Sequence, residues 1–84
     1  MDSYIKEKRK IITDIFQSYD IEFLEDEYKI KVHKKLTGEE QDAITIFLGR
    51  LLVKFTDYSF GTIIDCSIVR GAFKELKKLY NSNT

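Results

Sequence analysis

An α+β fold is predicted by three features of this 84-residue chain. Residues 3–19, 37–55 and 63–80 carry apolar side chains at helical spacing, whereas residues 20–35 alternate with period two. No proline and only four glycines interrupt the chain, so regular elements joined by short connections should account for most of it. The expected order is helix, two-stranded antiparallel hairpin, helix, helix (α-β-β-α-α), built around a buried central helix in a single small domain, 1–84.

The first helix, SYIKEKRKIITDIFQSY, places Ile5, Ile12, Ile15, Phe16 and Tyr19 on one side, with Tyr4 and Ile11 at its edge. That stripe is wide enough to dock on another element. Lys6, Lys8, Arg9 and Lys10 cluster in its first half, and a solvated face explains them more simply than an anion site does.

In DIEFLEDEYKIKVHKK, Ile21 and Phe23 alternate with Glu22 and Leu24, and Tyr28, Ile30 and Val32 with Lys29, Lys31 and His33. A hairpin tip near Glu25, Asp26 and Glu27 follows. If Glu25 pairs with Tyr28, Phe23 faces Ile30 and Ile21 faces Val32 inside, while Glu22 faces Lys31 and Asp20 faces His33 outside. The acids then partly neutralise a ribbon that would otherwise suit a nucleic-acid groove. A lone hairpin is marginal in water and needs helices beneath it.

The central helix opens on a capping box, Thr37 with Glu40. Ala43, Ile44, Phe47, Leu48, Leu51, Leu52 and Phe55 form one broad apolar face, with Leu48 and Leu51 in its middle. Ile46 and Val53 point to the other side with Gly49 between them, where a missing side chain permits close approach. These three residues are the candidate self-association surface, and a two-fold homodimer is the expected assembly. The competing reading folds the hairpin over them within one chain.

Residues 56–61, TDYSFG, form a connection whose aromatics, Tyr58 and Phe60, are the candidate partner surface. Thr62 and Asp65 repeat the capping signal. Ile64, Ile68, Val69, Ala72, Phe73, Leu76, Leu79 and Tyr80 then cover one face of the last helix. The four-residue spacing favours one helix over 63–80. The β-branched run through Val69 leaves a strand at 62–67 open, with the helix beginning only at Ser67. The far face carries Arg70, Lys74, Lys77 and Lys78 with no acid among them.

Fourteen basic and fourteen acidic residues cancel, so net charge selects neither a nucleic acid nor a membrane as partner. One cysteine fits a reducing compartment, the N-terminal residues do not resemble a signal peptide, and no membrane span is present. A cytoplasmic protein is expected. One histidine and one cysteine cannot make a zinc site, no glycine-rich phosphate loop occurs, and no constellation meets the geometry of catalysis. No enzyme activity, metal or cofactor is therefore expected. The favoured function is a non-catalytic regulator or adaptor acting through an unidentified protein partner. The alternative is a DNA-binding protein that uses Arg70, Lys74, Lys77 and Lys78, with the hairpin lysines Lys29 and Lys31 as a wing.

Overall fold

The computed structural model describes residues 2–49 and 52–82. Its elements run α1 (Asp2–Ser18), β1 (Ile21–Leu24), β2 (Lys29–Val32), α2 (Gly38–Leu48), β3 (Lys54–Tyr58), β4 (Gly61–Asp65) and α3 (Arg70–Ser82). The strands form one antiparallel sheet in the order β1-β2-β4-β3. Mixed α+β architecture is as expected, but a four-stranded sheet replaces the lone hairpin.

The first hairpin has the register that its alternation predicts: Ile21 opposes Val32, Glu22 Lys31, and Phe23 Ile30. The His33 N–H donates to the Asp20 carbonyl at 3.0 Å and extends the pairing. At the tip, the Glu27 N–H closes a turn onto the Leu24 carbonyl at 3.1 Å. Tyr28 follows with φ 56°, the one non-glycine residue at positive φ among those described.

Helix α1 buries Ile12, Ile15 and Phe16, but Tyr4 and Ile5 stay exposed, so the stripe docks only from its second half onward. Helix α2 starts as the capping box requires. The Glu40 N–H donates to Thr37 Oγ1 at 3.1 Å, and the Thr37 N–H to Glu40 Oε1 at 2.8 Å. Its end corrects the expected 37–55 helix. Gly49 adopts φ 62°, ψ 31° and its N–H caps the carbonyls of Thr45 and Ile46. A left-handed residue after the last turn is the usual glycine stop, so Gly49 ends the helix and does not serve a backbone contact inside it. Leu51 lies outside the described residues.

Two further strands replace the rest of that helix and the start of the next. Ile64 opposes Ile30 on β2 and Phe55 on β3. The run Gly61-Thr62-Ile63-Ile64 suits a pleated, half-buried surface better than a helix, because branching at Cβ crowds the preceding helical turn. Thr62 is accordingly no N-cap. It is fully buried in β4, where its Oγ1 accepts from the Leu36 N–H at 2.9 Å and donates to Asp57 Oδ1 at 2.8 Å. One hydroxyl thus ties β3, β4 and the chain entering α2. Asp65, the other half of the expected capping pair, accepts from the Ser67 N–H at 2.9 Å.

One contiguous core joins Ile30, Val32 and Ile64 of the sheet to Ile12 and Ile15 of α1, Ile44 and Leu48 of α2, and Phe73 and Leu76 of α3. No buried central helix organises it: α2 packs along α1, and α1 also meets α3. The inner face of the sheet supplies the shared floor.

The two threonines are expected to respond differently to substitution. Thr37→Ala removes an exposed cap and should cost about 0.5–2 kcal/mol. Thr62→Val keeps the shape but strands a buried N–H, with an expected cost of about 1–3 kcal/mol. Urea melts of both variants check this, and a neutral Thr62→Val would contradict the buried bond.

Candidate functional site

The register fixes what the open face of the sheet displays. One row across the strands is Glu22, Lys31, Ile63 and Thr56, and the next is Leu24, Lys29, Asp65 and Lys54. Beyond the first row, Tyr58 opposes Gly61 at the β3–β4 turn. The face therefore carries both signs of charge.

At the turn, the two aromatics singled out in the sequence come together. The rings of Tyr58 and Phe60 stack with centroids 5.4 Å apart and planes 4° from parallel. Lys31 Nζ lies 4.4 Å from the Phe60 centroid, and the His33 ring 5.7 Å away. Phe60 thus takes contacts from the strands on both sides of β4. Tyr58 remains 48% and Phe60 37% exposed.

Gly61 makes this approach feasible. A Cβ there would fall 2.1 Å from the Val32 carbonyl oxygen and 2.5 Å from the Lys34 nitrogen, so the turn presses directly onto the end of β2. An exposed cation–π contact contributes about 0.5–1 kcal/mol and an aromatic pair about 0.5–1.5 kcal/mol, so these contacts favour the stacked arrangement of the rings. His33 Nε2 lies 3.8 Å from Glu22 Oε1, so its acidic neighbour is the diagonal Glu22 and not the expected Asp20, while Lys31 lies over Phe60.

The remaining candidates separate. Lys29 and Lys31 belong to the open sheet face, whereas Arg70, Lys74, Lys77 and Lys78 belong to the helical layer. Arg70 stacks its guanidinium 4.6 Å from the Tyr28 ring, and Lys77 pairs with Glu25 on the hairpin tip. Between that tip and α3 lies a cleft of about 420 Å³. The self-association stripe does not assemble: Val53 is buried in the core just before β3, Gly49 is a helix stop, and Ile46 is half-buried on α2.

Cys66 and His33, the one cysteine and the one histidine of the chain, lie at opposite ends of the β2–β4 pairing. Cys66 is fully buried beyond the far end of β4, with its N–H on the Tyr28 carbonyl at 2.9 Å. Burial, with the nearby Asp65 carboxylate, pushes its thiol up to about 12. Hydrogen bonds from Ser67 hold Asp65 below the usual carboxylate range. Among the described residues no group of three or more His, Cys, Asp or Glu gathers as a metal site, and no helix is long and apolar enough to cross a membrane.

Tyr19 is a residue whose role the sequence hides. Its hydroxyl donates to Glu40 Oε2 at 2.9 Å and accepts from Lys34 Nζ at 3.1 Å, tying the end of α1 to the start of α2. That bond raises the Lys34 ammonium pKa. Only the pairing of α1 with α2 brings these groups together.

No protein-family model matches the chain, and no curated protein and no solved structure matches it either.

Proposed function

We propose that this protein is a non-catalytic interaction module, a small regulator or adaptor, which docks a protein partner on the Tyr58–Phe60 end of its open sheet face. The observation that carries this reading is the exposed, parallel ring pair braced by Lys31 and His33. Aromatic side chains already held in one conformation lose little entropy on binding, and such residues dominate the energetics of protein interfaces. The mixed charge of the neighbouring rows, Lys29, Lys31 and Lys54 against Glu22 and Asp65, suits the polar rim of a protein interface better than a phosphate backbone. The position of Lys29 and Lys31 within a four-stranded sheet, and not on a free two-stranded ribbon, supports the protein-docking reading over the DNA-binding one.

Affinity capture with the full chain tests the proposal when two variants are run beside it. A partner held by the wild type should bind Tyr58→Ala/Phe60→Ala at least about 30-fold more weakly, as expected for a central aromatic anchor. The same partner should bind Lys74→Ala/Lys78→Ala unchanged. Equal retention by the aromatic double variant overturns the assignment.

A further inference from the structure

The cleft between the hairpin tip and α3 has the features of a small-ligand site, and it is separate from the sheet face. Its volume of about 420 Å³ falls in the range of small-molecule pockets. The floor is aromatic: the half-buried Tyr28 ring packs at 69° on Phe73, a core residue beneath it, with centroids 5.4 Å apart. The rim is basic, with Lys74, Lys77 and Lys78 against the single acid Glu25. Lys74 and Lys78 stand one helical turn apart on α3, are exposed, and form no ion pair among the described residues. Lys77 is occupied by Glu25 across the cleft.

The hairpin turn sets the position of Tyr28. It sits at φ 56° as the last residue of the turn between β1 and β2, a place where hairpin loops commonly hold a left-handed residue. The Cys66 N–H holds its carbonyl and Arg70 covers its ring.

From this geometry we infer that the cleft binds a planar aromatic ring carrying a phosphate, the ring lying against Tyr28 and the phosphate between Lys74 and Lys78. Base-on-aromatic stacking and compact ammonium charges are the standard means of recognising each half. Glu25 pairs with Lys77 and so competes with the ligand for it. The same chemistry occurs in a free mononucleotide and at the phosphorylated end of a single-stranded nucleic acid.

Amide chemical shifts of the isotope-labelled full chain, titrated with adenosine monophosphate, test the inference. Saturable shifts at Tyr28, Phe73, Lys74 and Lys78 are expected, with adenosine alone and inorganic phosphate alone binding at least about tenfold more weakly. Lys74→Ala/Lys78→Ala, which changes only exposed positions, should weaken binding about tenfold or more. Glu25→Gln should tighten it severalfold by releasing Lys77, an effect in the opposite direction that a loss of folding cannot mimic. A 5′-phosphorylated oligodeoxyadenylate that binds more tightly than the mononucleotide assigns the nucleic-acid end as the natural source, and weaker binding assigns the free nucleotide. Absence of saturable shifts at about 10 mM, or indifference to both the lysine and the Glu25 variants, overturns the site.

Discussion

Gly61→Ala is expected to unfold the protein or leave it barely stable. The added Cβ would stand 2.1 Å from the Val32 carbonyl oxygen and 2.5 Å from the Lys34 nitrogen, both backbone atoms at the end of the neighbouring strand β2. No side-chain rotation can relieve contacts with backbone. The φ of 150° at Gly61 adds conformational strain for any L side chain. Overpacking and backbone strain each contribute about 1–3 kcal/mol, so a combined loss of roughly 2–6 kcal/mol is expected. That is comparable to the entire stability of many small domains. Circular dichroism and a urea melt measure it. Had residues 56–61 been a solvated connection between two helices, the same substitution would be harmless, so a near-neutral result would remove β4 from the fold.

Ile64→Ala should come next, at about 2–5 kcal/mol, because it opens a cavity where the sheet meets the helices. Ile64 is fully buried, with Ile30 and Phe55 as its cross-strand neighbours. Its natural control is Ile68→Ala. A single helix over 63–80 puts both isoleucines on one apolar face, one turn apart, and predicts similar losses. In the structure Ile68 is 61% exposed, in the segment between β4 and α3, and its truncation should change stability by less than about 0.5 kcal/mol. Urea midpoints of the pair therefore separate strand from helix in this segment, and equal losses would restore the helix.

The contrast between Ile64 and Ile68 also marks how far periodicity reaches. Over residues 3–19 and 20–35 each period has one reading, so α1, the first hairpin and its register are legible in the sequence alone. The capping box at Thr37 and Glu40 was equally legible, because it is a local exchange of two hydrogen bonds. From residue 49 onward two periods compete. Leu48, Leu52 and Phe55 satisfy a helical spacing, and so do Ile64, Ile68 and Ala72. The opposing cues were the left-handed preference of Gly49 and the β-branched run from Thr62, each weak by itself.

For the candidate sites, Tyr58 and Phe60 were named as a pair from their place in a short connection. Their bracing by Lys31 and His33 could not be read, since it depends on β4 lying beside β2. The lysines of α3 were visible as a face, but the cleft was not, because Tyr28 and Glu25 reach it from the hairpin tip.

By itself, then, the sequence determined what is local: helix α1, the β1–β2 pairing, the start of α2, the basic face of α3, and a mixed α+β character. Tertiary structure alone decided that residues 54–58 and 61–65 are strands. The β3–β4 hairpin is itself local, but what selects strand over helix there is the pairing of β4 with β2, which lies far away in sequence, so no local pattern contains it. Here the deciding partners are Ile30, which packs opposite Ile64, and the Leu36 N–H, which the Thr62 hydroxyl satisfies inside the core. A helix over the same residues would satisfy its own backbone but leave the inner edge of β2 unpaired and its apolar side chains half covered, which is the larger cost.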